Sequence, residues 1–397
     1  MASRLLDVTD GRGSAALAVA TVAMAAIAHQ MLAPKKQRIL PSPLKTTLPY
    51  MTPEEIEALD YPVDALPGAR DVNTSHGSIR VYEWGPEDGP RVLFIHGIST
   101  PCVILRKLAD PLVARGYRVM LFDLFGRGYS DGVGDIPHDA ALYVTQAMYA
   151  LTSSAVSWTG ANALHVVGYS LGGGIAVHFA GVFPQLVRKL VLVAPAGMIR
   201  PESFGVAQRL VFTSGMVPEW VLAFLTGLRL QKPIASSVKR VPVAAAAAAE
   251  EEDGEESGEE EDESRGVGES FVDLASAEVQ PVASEDDTPL EVRMRRYVTW
   301  MVKNHAGFVP SFMSCVRHAP LMEQQEAYVK LASRSKGSTL VLLAKSDEII
   351  LPQDFKADAL PLMGGRETVT VRELPGGHDF VVTQSAAIVK AILKAWA

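Results

Sequence analysis

Residues 163–180 constrain this chain more tightly than any other stretch. An apolar run, Ala163-Leu164-His165-Val166-Val167, leads into Gly168-Tyr169-Ser170-Leu171-Gly172. Small residues then open a helical pattern at Gly173-Gly174-Ile175-Ala176. A strand that becomes a helix across a single residue forces that residue into strained dihedrals. Gly168 and Gly172 suit such a turn, because a Cβ at either place would meet the neighbouring strand or helix. The five-residue pattern alone is common, and its seat between strand and helix gives it weight. Ser170 is thus expected at the tip of a sharp turn leaving a buried strand.

The rest of the chain supplies a sheet for that strand. Residues 71–75 and 78–84 read as a hairpin around His76-Gly77, and 91–95, 118–122, 189–193, 338–343 and 368–374 as further strands. Helical patterns cover 103–115, 139–158, the stretch from Ser170 through Phe183, 353–363 and 386–397. Strands written as continuous Val/Leu/Ile runs, alternating with helices, predict an α/β fold. The sheet is expected to be mostly parallel and eight-stranded, with helices on both faces. Alternation stops at Ala194 and resumes at Ser338, after roughly 140 residues, far beyond an ordinary connection. The flanks of this insertion, 204–230 and 292–312, are apolar and helical in pattern, which predicts a helical cap after the sixth strand. Its middle, 244–289, runs from polyalanine into an acidic tract and is too polar to offset the entropy of ordering, so disorder is expected. The expected organisation is an apolar segment 1–33, a proline-rich arm 34–70 with a helix at 53–59, core 71–197, cap 198–335 and core 336–397.

Charge excludes one class of partner. The net charge is -8, but eleven acidic residues lie between Glu250 and Glu263, and without them the remainder is near +3. No basic surface for nucleic acid is indicated, and the acidic tract reads as a solvated run. Cys102 and Cys315 are the only cysteines, which excludes a disulfide framework; two buried free thiols are favoured over a single pairing of the two. No histidines have metal-ligand spacing, so neither a metal nor a cofactor is expected. Residues 14–33 are uncharged and apolar, followed by Lys35, Lys36 and Arg38. Their length matches a bilayer and favours a single-pass membrane anchor, with two alternatives open. A cleaved secretory signal fits Ala26-Ile27-Ala28, and an amphipathic or mitochondrial-targeting helix fits the alanine content. Orientation, compartment and oligomeric state are left open.

Catalytic groups of such sheets gather beyond the carboxyl ends of the strands. Ser170 follows one strand, Asp347 in Lys345-Ser346-Asp347-Glu348 follows another, and His378 in Pro375-Gly376-Gly377-His378-Asp379 follows the last. A serine hydroxyl is too weak an acid to attack unaided, so an imidazole base and an orienting carboxylate are what it needs. Oxyanion donors are expected at the N–H of Leu171, at its helix N-terminus, and of Ile98 in His96-Gly97-Ile98. Gly97 lets that loop approach the substrate, and His96 is read as its organiser. Asp123, Arg127 and Asp131 are read as structural supports of the loop after the fourth strand. Asp354 and Asp358 are read as surface residues, and Asp379 as too close to His378 to orient it. His165 and His178 are read as structural. For His305 and His318, substrate contact and surface placement are equally open. Trp220, Phe224, Trp300, Phe308 and Phe312 are read mostly as packing.

Together, His96-Gly97, Asp123-x-x-Gly126-x-Gly128-x-Ser130, the Ser170 turn and the Asp347 and His378 loops resemble the α/β-hydrolase superfamily over residues 71–397, apart from the tract expected to be disordered. Within it the chain looks like the capped serine hydrolases, which include esterases, monoacylglycerol lipases and C–C bond hydrolases. The resemblance implies an enzyme cleaving a carboxylic ester of a small apolar or lipid-derived molecule through an acyl-enzyme. C–C bond hydrolysis or acyl transfer on the same residues stays open, as does a silent hydrolase fold that binds a ligand or partner. Ser170 in place of Asp argues against epoxide hydrolases and haloalkane dehalogenases. The N-terminal segment and the acidic insert have no counterpart in that pattern.

Overall fold

The computed structural model describes residues 38–161, 163–200, 219–231 and 290–397, together with positions 21 and 24. The expected disordered tract 244–289 lies outside these residues, and so does the segment 14–33 apart from positions 21 and 24. Among the described residues no helix is long and apolar enough to cross a membrane.

Eight strands form the main sheet: β1 Arg70–Thr74, β2 Gly77–Trp84, β3 Arg91–Ile95, β4 Arg118–Phe122, β5 Leu164–Tyr169, β6 Val187–Val193, β7 Thr339–Ala344 and β8 Val369–Leu374. Their spatial order is β8-β7-β6-β5-β3-β4-β2-β1. The β1–β2 and β2–β4 pairs are antiparallel and all the others are parallel. The central strands β3, β5 and β7 are buried almost throughout, which is why they read as unbroken apolar runs.

Strand order also decides where the helices go. The chain steps one way from β3 to β4 and the other way from β4 to β5 to β6. Right-handed crossovers in opposite directions land on opposite faces. Helix α2 (Arg106–Val113) therefore covers one face, beside α8 (Ser385–Trp396), while α3 (Ala140–Thr152) and α4 (Leu171–Val182) lie together on the other. Asp139 caps α3 by accepting from the Leu142 N–H.

Several expected boundaries move. The helix expected over 139–158 ends at Thr152, and Trp158 turns inward to donate to Glu83. The helix expected over 353–363 is a short helical turn, a π-helical turn at Phe355–Ala359 and a 3-10 turn at Pro361–Met363. Pro361 cannot donate to that ladder, and Gly364 ends it at φ 91°. The helical stretch expected over 292–312 is two helices, α6 (Leu290–Asn304) and α7 (Phe308–His318). They part at Gly307, whose backbone packs so closely on Gly132 that a Cβ would collide with it. Of the insertion's first flank, α5 (Glu219–Gln231) is described and packs against α6 and α7.

The proline-rich arm is more embedded than an extended arm need be. Ile39–Leu40 pairs with Gly132–Val133, and α1 (Pro53–Glu57) carries a complete capping box on Thr52 and Glu55. Tyr61 is fully buried; its hydroxyl donates to the Asp123 carboxylate, and its oxygen lies 2.8 Å from the Tyr82 hydroxyl. Buried Asp131 accepts from the Ser42 and Ser78 N–H groups at 2.8 Å and pairs with Lys45. Its structural reading holds, with the arm as an added partner.

Glu83 on β2 is the main charged node of the sheet edge. It accepts from Arg118 at 2.7 Å, Arg70 and Ser154 at 2.8 Å and Trp158 at 3.2 Å. Burial alone would raise its pKa, but the bonds from Ser154, Arg118 and Trp158 and the charge of Arg70 outweigh that and lower it. Replacing Glu83 by Ala strands two arginines against a buried wall. Glu83→Ala is expected to cost roughly 3 kcal/mol, read as a melting temperature several degrees lower at neutral pH. Its stabilising contribution is present above the glutamate range and fades as pH falls through its lowered value. The difference between wild type and variant should therefore narrow in acid.

Candidate active site

The turn after β5 is as sharp as the sequence demands. Ser170 sits at φ 53°, ψ -121°, a conformation that costs an ordinary residue about 1–3 kcal/mol. Its N–H donates to Val193 O at 3.0 Å, and its carbonyl accepts from Gly173, Gly174 and Ala196. A Cβ on Gly168 would strike the carbonyl of Gly172, and one on Gly172 would strike that of Ile95. The two glycines are therefore needed by close approach.

Three residues distant in sequence meet at this turn. Ser170 Oγ lies 2.9 Å from His378 Nε2, and His378 Nδ1 lies 2.9 Å from Asp347 Oδ2. A carboxylate only accepts, so Nδ1 carries the hydrogen and Nε2 is left to accept from the serine hydroxyl. Asp347 Oδ1 takes the N–H groups of Ile349 and Ile350, each at 2.9 Å, which locks its carboxylate plane. All three side chains are buried. Tyr169 supplies a support that the sequence reading missed. Its hydroxyl donates to the His378 carbonyl at 3.0 Å, and its ring packs 5.3 Å from the imidazole. Only the fold brings these two residues together across 209 positions.

The loop after β3 is held from below. His96 is fully buried, and its Nε2 accepts the Leu124 N–H at 2.8 Å. Nδ1 must then carry the hydrogen, and it donates to the Gly97 carbonyl at 2.9 Å. In a trans peptide the carbonyl and the following N–H point opposite ways, so this bond orients the N–H of Ile98. Leu171 is the first residue of α4, where an N–H has no acceptor within its own helix. Asp123 accepts from the N–H groups of Cys102 and Tyr129, both at 2.9 Å, and holds the loop after β4.

Other candidates resolve differently. His305 is buried, not on the surface, and both its ring nitrogens are taken up by loop groups: Gly307 N–H donates to its Nδ1, and its Nε2 donates to Ser130 O. That buried loop role depends on a partner 175 residues away, beyond the reach of spacing. His318 is exposed at the end of α7. His165 lies against Trp396, and His178 bonds Gln324. Asp354 and Asp358 pair with Arg200. Phe308 and Phe312 are core, Trp300 stacks on Tyr297, and Phe224 is exposed; the Trp220 side chain lies outside the description. Cys102 and Cys315 are free and buried. Among the described residues no group of three or more His, Cys, Asp or Glu is arranged to hold a metal ion.

A family model for the alpha/beta hydrolase fold matches residues 90–239. This is an α/β-hydrolase fold. The acetyltransferase component of the acetoin cleaving system of Cupriavidus necator is 32% identical over 189 residues, 44% of this chain and 47% of that one. The 2-hydroxymuconate semialdehyde hydrolase of a Pseudomonas species is 33% identical over 117 residues, 29% of this chain and 39% of that one. The chain thus spans less than half the length of these curated relatives. A solved membrane phospholipase A, described as a bacterial virulence factor, superposes with a TM-score of 0.56 at 17% identity, over 96% of this chain and 97% of that one. At that identity the likeness speaks for the fold alone.

In this α/β-hydrolase fold, neutral histidines carry much of the loop structure. Burial lowers the pKa of His96 and His138 to about 3 and that of His305 to about 4, and the charge of Arg127 pushes each in the same direction. An unfolded chain takes up these protons near pH 6.5, whereas the folded one resists until far lower. Stability is therefore complete above pH 6.5 and is lost as pH falls toward the folded values, by about 1.4 kcal/mol per histidine per pH unit. Melting temperatures at pH 7, 6 and 5 should drop steeply and progressively. A flat profile over that range would show that these histidines titrate normally in the fold.

Proposed function

We propose that the chain is a serine hydrolase that cleaves a carboxylic ester through an acyl-enzyme. The observation that carries this reading is the chain of two 2.9 Å contacts from Ser170 through His378 to Asp347. With Nε2 free of hydrogen, His378 takes the Ser170 proton as Oγ attacks the ester carbonyl carbon. Asp347, held by two backbone N–H groups, keeps the imidazole in that tautomer and stabilises its cation. The proton then passes to the leaving alkoxide, and water repeats the sequence on the acyl-enzyme. Developing oxyanion charge falls to the N–H groups of Ile98 and Leu171, each worth ~10²–10³ in rate by the usual measure.

The hydrolase among the curated relatives agrees in reaction class with this reading, and the acetyltransferase component agrees with its acyl chemistry. An apolar or lipid-derived ester is the favoured substrate. The insertion contributes apolar helices that pack on the loop after β4, and residues 14–33 would place the enzyme at a membrane. No cofactor is called for, since the proposed step moves only protons and an acyl group.

A fluorophosphonate probe should label the wild type and leave Ser170→Ala unlabelled. His378→Ala should lower hydrolysis of short p-nitrophenyl esters by at least ~10³-fold while the protein stays folded. Absent labelling of the wild type, or equal labelling of Ser170→Ala, would overturn the enzyme reading. Labelling without turnover of any ester in a series of rising chain length would move the assignment to the C–C bond or acyl-transfer alternatives.

A further inference from the structure

Arg127 takes no part in the proposed reaction, yet it is fully buried and reaches the loop that carries one oxyanion donor. Its Nε donates to the carbonyl of Ile98 at 2.8 Å. One terminal nitrogen donates to Phe125 O at 3.0 Å and Tyr143 Oη at 3.1 Å, and the other meets Cys315 Sγ at 3.2 Å. The guanidinium thereby joins the loop after β3, the loop after β4, helix α3 and helix α7 of the insertion.

Acceptor chemistry sets the proton directions beyond it. Val133 O can only accept, so His138 Nε2 carries the hydrogen and Nδ1 accepts from the Tyr143 hydroxyl at 2.8 Å. With its own hydrogen committed, Tyr143 Oη accepts from Arg127 and from the Cys315 thiol, 2.9 Å away. Tyr143 and Cys315 thus hold the far side of the guanidinium in one orientation.

Ile98 lies between two held peptide groups. His96 holds the Gly97 carbonyl, and with it the direction of the Ile98 N–H. Arg127 holds the next carbonyl, which stops Ile98 from rotating about its own Cα. We infer that Arg127 is a positioning residue, keeping the Ile98 N–H aimed at the oxyanion and tying that aim to the seating of α7. The inference rests on the ester-hydrolase reading above. An arginine suits the task because its planar fork reaches acceptors on several sides at once, which a lysine ammonium on a flexible stem does not do. Helix α7 comes from the inserted segment, so a shift of that segment would reach the oxyanion loop through Cys315 and this side chain.

The test compares a p-nitrophenyl ester with its thiono analogue, in which sulfur replaces the carbonyl oxygen. Sulfur accepts hydrogen bonds poorly, so the ester-to-thionoester rate ratio reports on the oxyanion donors. Arg127→Met should lose about 10²-fold in kcat with KM almost unchanged, and its ratio should shrink in parallel. Arg127→Lys should recover part of both. Tyr143→Phe and Cys315→Ala, which free one side of the guanidinium, should show a smaller contraction of the same kind. A ratio equal to wild type in folded Arg127 variants would overturn the inference, whatever happens to kcat, because a purely structural arginine predicts that result. Should the Arg127 variants fail to fold, the ratios of Tyr143→Phe and Cys315→Ala decide by the same criterion. A wild type that no fluorophosphonate labels would sink the ester-hydrolase reading and this inference with it, whereas a labelled wild type with unchanged variant ratios would sink this inference alone.

Discussion

A chain that leaves a central parallel strand and enters a helix within one residue must place that residue at positive φ, and Ser170 does so at 53°. The strain is bearable because the surroundings over-determine it. Ser170 N–H is tied to the neighbouring strand at Val193, and its carbonyl takes three N–H groups. No side chain stands at 168 or 172 to keep β3, β5 and α4 apart. Each of these conditions belongs to the sheet as a whole. The strained serine therefore exists only in the assembled fold, and its Oγ is presented where two other strand ends deliver a carboxylate and an imidazole.

Below that first set of contacts lies a second, made largely of neutral histidines with one defined tautomer each. His96 accepts from Leu124 and donates to Gly97; His305 accepts from Gly307 and donates to Ser130. His138 accepts from Tyr143 and donates to Val133. An imidazole that both accepts and donates joins two loops without adding a buried charge, which a lysine or a carboxylate cannot do. Such joints hold only while the ring stays neutral. The same burial that makes them rigid makes the loops sensitive to acid.

Much of the scaffold is legible in the sequence, for a physical reason. Buried parallel strands must be continuously apolar, so β3, β4 and β7 announce themselves, and the loops after β7 and β8 carry Asp347 and His378 within a few residues of the strand ends. Local signals, however, fall silent where a partner lies far along the chain. Tyr169 reads as filler in its pentapeptide, although its hydroxyl holds the backbone of His378. His305 reads as an open question because its acceptor, Ser130 O, is brought near only when α7 packs on the loop after β4. Helix ends fail similarly. Trp158 continues the period of α3 but is drawn off by the buried carboxylate of Glu83. The break between α6 and α7 is set by contact of Gly307 with Gly132, which no periodicity records.

The insertion meets the core at a place that matters for this division of labour. Residues of α6 and α7 pack onto the loop after β4: Met301 Sδ lies 3.3 Å from the Gly128 nitrogen, and Cys315 lies against Arg127 and Tyr143. The arm before the sheet reaches the same loop through Ser42, Lys45 and Tyr61. Two segments remote in sequence thus converge on residues 123–131, which hold the Ile98 loop through Arg127 and Leu124. A loop bound from so many sides has little freedom of its own. It can move only as those segments move, which makes the Asp123–Asp131 stretch the mechanical link between the parts that surround the strand ends and the loop on which Ile98 lies.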